Sequence, residues 1–124
     1  MKASLGPLKR LLQSNVCEVR TLRRLPIANR ATFRRCLCTN SLELLLSNEG
    51  RMTLNFMPAR GILPYNPTQK RLIVVWDILM QNFRQLNMNA CDLVNTIPIK
   101  DFWKYFNEKI VNLTAQQKMA FMDN

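Results

Sequence analysis

Histidine is absent from the 124 residues. That removes the usual general base of Ser-His-Asp and Cys-His nucleophile sites, and with it the commonest protein ligand for transition metals. Glycine is scarce, with three isolated residues, so no Gly-rich loop is available to cradle a phosphate. Acidic residues number eight against eighteen Lys and Arg. Those at Asp77, Asp92, Asp101 and Glu108 stand singly, so no acid–base pair is legible. The apolar stretch Leu72–Leu86 covers only 15 residues and contains Asp77, too short and too polar for a membrane span. The four cysteines (Cys17, Cys36, Cys38, Cys91) lack the spacing of a disulfide scaffold or of paired zinc ligands, and no secretory signal precedes them. They read as reduced thiols buried as small hydrophobes. The expectation is a protein that is not an enzyme and holds no cofactor or metal.

What is present argues for a folded domain. Apolar residues make up 48% of the chain, too many for a disordered one. Few glycines and many Leu, Met, Gln and Asn favour helices. In Asn66–Leu86 the residues Leu72, Trp76, Leu79, Phe83 and Leu86 follow helical spacing, and Asn66, Pro67 and Gln69 supply a start signal. This stretch is read as the central core helix.

Upstream, a helix is predicted over Ser4–Gln13. A second starts at the capping pair Asn15 and Glu18 and ends before Pro26, and a third covers about Ala28–Cys38. A fourth, short helix opens at Asn40 and Glu43. Met52, Leu54 and Phe56 alternate with polar residues, which predicts an extended segment around 52–57. Downstream, Ala90–Asn95 reads as one helical turn. Ile99, Phe102, Trp103, Phe106 and Ile110 mark an amphipathic helix, and Thr114 with Gln117 caps a last one. The reading is mostly α: a compact single-domain helical bundle over 1–124, with a basic half over 1–60, core helices over 66–124 and one short extended segment.

The charge is uneven. Residues 1–60 hold eleven Lys and Arg against three acids, a balance of +8, which leaves +2 for the rest of a net +10. Such a chain is drawn to acidic proteins, nucleic acid or anionic surfaces. The sharpest cluster is Arg20, Arg23, Arg24, Arg30, Arg34 and Arg35. With Arg20 and Arg24 four apart on one predicted helix, and Arg30 and Arg34 four apart on the next, they form one basic face. Guanidinium groups suit carboxylates and phosphates alike. An acidic protein surface is the first reading. A nucleic-acid-binding accessory factor is the alternative, weakened because no aromatics are interleaved for base stacking, and a merely solvated basic face is the third reading. Two Leu-x-x-Leu-Leu stretches, at Leu8–Leu12 and Leu42–Leu46, read as core packing rather than docking helices. Met1–Asn40, Arg-rich with one acid, also resembles a mitochondrial presequence, a minor alternative.

The stretch Arg60-Gly-Ile-Leu-Pro-Tyr-Asn, the following LIVVWDILMQNFR and the tail FWKYFNEKIVNLTAQQKMAFM resemble the small late baculovirus nuclear proteins linked to nuclear actin accumulation and nucleocapsid assembly. The resemblance spans Arg51–Asn124 and assigns no functional residue. It implies a non-catalytic viral protein of the host nucleus, with some cytoplasmic presence, that supports nucleocapsid assembly through contacts with capsid proteins or host actin.

Overall fold

The computed structural model describes residues 5–22, 33–57 and 71–122. Their dominant element is a five-stranded, wholly antiparallel sheet. Its strands are β1 (Asn15–Leu22), β2 (Phe33–Thr39), β3 (Leu72–Asp77), β4 (Asn82–Asn87) and β5 (Cys91–Pro98), in spatial order β4-β3-β2-β1-β5. The helices are short: α1 (Leu5–Ser14), α2 (Leu42–Leu45), α3 (Asn48–Leu54), α4 (Ile99–Lys109) and α5 (Ala115–Met122). The mostly-α helical bundle expected from the sequence is therefore wrong; this is a mixed fold built on a sheet.

Both faces of the sheet are covered, which explains the misreading. On one face, Leu8 and Leu12 of α1 pack over Cys17, Val19, Cys36, Cys38, Ile73 and Val75. On the other, Val16, Leu37, Trp76 and Ile97 meet α2 through α5 by way of Leu44, Leu54, Phe102, Phe106 and Met122. Strand residues of both parities are then buried, as at Val16–Cys17–Glu18–Val19, where even the glutamate is covered. The period-two signal of a strand disappears under such double burial.

The predicted central helix illustrates this. Leu72–Trp76 is an unbroken apolar run because it is a strand between two layers, rich in β-branched residues. Asp77 then forms a turn. Its buried carboxylate accepts from the Leu79 and Met80 backbone N–H groups, each at 3.1 Å, and Gln81 takes a left-handed φ of 54°. The chain returns as β4, in register from Leu72↔Asn87 to Asp77↔Asn82. Leu79 lies in that turn, so the helical spacing that runs through it is a coincidence of sequence. The predicted start at Asn66–Gln69 lies outside the described residues.

The other reversals have equally local causes. Asn15 terminates α1 rather than opening a helix, since its amide donates to the Leu11 carbonyl at 3.1 Å, and β1 begins there. The predicted third helix is strand β2 over its described part. Ser41, not Asn40, caps α2 by accepting from Leu44 N–H at 3.3 Å. The predicted extended segment at 52–57 begins inside α3, which Ser47 caps and Asn55 ends with φ 54°. Phe56 then turns back onto Trp76, ring centroids 5.1 Å apart. The turn expected at 90–95 is a 3₁₀ turn at Met88–Ala90 followed by β5. The helices expected near the N-terminus and after Pro98 are α1 and α4. Thr114 and Gln117 form the reciprocal cap of α5, at 2.9 and 3.2 Å.

Candidate interface on the β1–β2 hairpin

β1 and β2 pair from Cys17↔Cys38 to Leu22↔Phe33, with Arg20 opposite Arg35 and Thr21 opposite Arg34. The hairpin thus gathers three of the six predicted arginines, though on strands rather than helices. The four-residue spacing that placed Arg20 with Arg24 and Arg30 with Arg34 has no meaning there. In a strand, partners share a face with their register neighbour, so Arg20 sits with Arg35 while Arg34 springs from the opposite face. Arg23, Arg24 and Arg30 lie outside the described residues.

The three arginines have different surroundings. Arg35 forms an ion pair with Glu18 at 3.1 Å, and its guanidinium also lies over the Phe121 ring at 5.3 Å. Arg34 donates to the Met122 sulfur at 3.7 Å. Both therefore tie α5 to the hairpin. Arg20 is exposed, and its guanidinium lies 4.2 Å from the centroid of Phe33. Leu22 and Phe33, facing partners in the register, are exposed large hydrophobics. The end of the hairpin accordingly presents a cation stacked on an aromatic ring beside an aliphatic side chain. Nearby, burial and then the Glu18 charge raise the Tyr105 hydroxyl pKa, against the pull of Arg35. Tyr105 stays protonated at neutral pH.

The Phe33–Arg20 stack escaped the sequence reading. One signal was available, and it corrects the reading that no aromatics are interleaved with the arginines: Phe33, the first aromatic residue in the chain, stands between Arg30 and Arg34-Arg35. Without knowledge of the strand register, nothing linked it to Arg20.

The four cysteines converge on the face beneath α1, and all are free and buried. Burial pushes the Cys17 thiol up to about 11. Burial first, then Asp92 and the neighbouring cysteines, pushes Cys91 up to about 12. A hydrogen bond with Cys36, followed by burial and nearby charges, holds Cys38 well above the ordinary thiol value. Thiols in this state are poor nucleophiles. Among the described residues, no group of three or more Cys, Asp or Glu is arranged to hold a metal ion, and no helix is long and apolar enough to cross a membrane. Comparison of the chain with protein-family models, with curated proteins and with solved structures finds no match in any of the three.

Proposed function

We propose that this chain is a non-catalytic interaction protein whose β1–β2 hairpin docks on an acidic surface of another protein. The observation that carries the reading is the exposed Arg20–Phe33 stack with Leu22 beside it. Arginine and aromatic side chains are over-represented among residues that dominate protein–protein binding energy, and an adjoining aliphatic group supplies burial that phosphate recognition does not need. Arg35 is already neutralised by Glu18 and so adds little to a phosphate-tracking array. Arg23, Arg24 and Arg30, between the two strands in sequence, add positive charge that steers encounter. The resemblance to small late baculovirus nuclear proteins makes actin and capsid proteins the acidic surfaces to test first, and the host nucleus the compartment.

The alternative, a nucleic-acid-binding accessory factor, gains one observation: an arginine stacked on an exposed ring is also a platform for a base. Purified actin, purified capsid protein and a random single-stranded DNA separate the two readings. Arg20→Gln is expected to keep the wild-type melt and Phe33→Ala to lower it by only a few degrees while staying folded, and both to weaken capture of the acidic protein by about tenfold, roughly 1.4 kcal/mol. Failure to bind either protein, with DNA affinity falling steeply between about 50 and 200 mM salt, would replace the first reading with the second.

A further inference from the structure

We propose that β2 receives an extended, acidic segment of the partner as an added strand on its open edge. This rests on the protein-docking reading above and names how the partner is held. β2 meets β3 at only two register positions, Cys38↔Asp77 and Thr39↔Trp76, before β3 leaves in the Asp77 turn. One further bond, from Ile78 N–H to the Leu37 carbonyl at 2.8 Å, closes the contact. In an antiparallel strand alternate residues turn both backbone groups to the same side. Leu37 turns its pair away from β1, so Arg35 and Phe33 do the same. Among the described residues, no strand pairs with that edge from Phe33 to Cys36. An unpaired strand edge is a template for another strand.

The charge around this edge selects the occupant. Arg34 and Arg35 lie on this strand and Arg20 across the hairpin from it, and among the described residues Glu18, paired with Arg35, and Asp92, opposite Arg20 in the register, offset only part of that charge. Phe121 and Met122 of α5, packed on Arg35 and Arg34, form a wall beside it. The Arg35 Nε is buried and lacks a hydrogen-bond partner. A carboxylate from the added strand supplies that acceptor.

The probe is a synthetic ten-residue peptide of alternating Glu and Val, titrated onto the full chain. Phe33→Ala removes the ring but keeps the backbone N–H, whereas Phe33→Pro also removes the N–H that faces the open edge. Because that N–H points away from β1, and Pro is tolerated at the first residue of a strand, the hairpin survives the change. Phe33→Pro is expected to bind the peptide at least about tenfold more weakly than Phe33→Ala. In the wild type, the Phe33 and Arg35 amides are expected to gain hydrogen-exchange protection when peptide is added. Equal affinities for the two variants, or unchanged amide protection in the wild type, overturn strand addition. If Arg20→Gln and Phe33→Ala still weaken capture of the acidic protein in that case, the surface reading stands while strand addition falls. Should Phe33→Pro fail to fold, the wild-type amide measurement decides alone.

Discussion

Trp76→Ala and Phe83→Ala separate the sheet from the helix that the sequence suggested. A helix through 66–86 places both rings on one buried stripe and gives them similar costs. In the sheet they differ. Trp76 is 2% exposed, stacks edge-on against Phe56 and Phe83 at 5.1 Å each, and donates its indole N–H to the Leu54 carbonyl at 3.2 Å. Phe83 lies on edge strand β4 and is 36% exposed. Truncating Trp76 removes most of a buried aromatic side chain and leaves a cavity, about 4 kcal/mol, and also leaves the Leu54 carbonyl without its donor. Truncating Phe83 forfeits one partial face of the stack, about 1–2 kcal/mol. With unfolding entropy near 2.1 cal/mol/K per residue, a 124-residue chain loses roughly 15 °C of melting temperature for Trp76→Ala and about 4–8 °C for Phe83→Ala. Calorimetric melts of both variants measure this. Equal shifts would refute the placement of these rings on neighbouring strands of unequal burial. Trp76→Phe adds a check, because it keeps much of the stack and loses only the indole donor, at about 1–2 kcal/mol.

Gly50→Ala, which in an exposed helix gains stability of about 1 kcal/mol, is expected to destabilise instead, since the added methyl would clash with the Leu44 carbonyl oxygen and lie 2.9 Å from the Ser47 hydroxyl that caps α3; a denaturant midpoint at or above wild type would contradict that packing. The buried thiols give stability a pH dependence of definite sign. Their folded pKa values, about 11 for Cys17 and about 12 for Cys91, lie above those of unfolded thiols. The unfolded chain therefore binds fewer protons over that range, so stability is complete below about pH 8.5 and falls as pH rises toward the folded values. Cys91→Ala is expected to flatten this alkaline decline in urea titrations between pH 8 and 11, and an unchanged slope would remove the thiol from the account.

How much was legible depended on whether an element answered to its own residues. Helix α4 was, because Phe102 and Phe106 face the core while Lys100, Lys104 and Glu108 face solvent, so period and burial agree. The cap of α5 was, because Thr114 and Gln117 satisfy each other within four residues. The strands were not. Val16, Cys17 and Val19 look alike in sequence, yet Val16 meets one helical layer while the other two meet α1. Of the candidate site, the sequence supplied the arginines and their charge, but not the partners that distinguish Arg20 from Arg34 and Arg35.

The amino-acid sequence alone determined the chemistry at hand: no imidazole, no phosphate loop, a net charge of +10 weighted to residues 1–60, and enough apolar side chains for a core. These are sums over residues, and folding does not alter them. Tertiary structure decided the rest. Strand register set Arg20 beside Phe33 and brought four thiols from three strands under one helix. The early departure of β3 left part of β2 without a paired strand among the described residues. Register and strand order arise from contacts between residues far apart in the chain, where burial on two faces outweighs local propensity, and no local pattern encodes them.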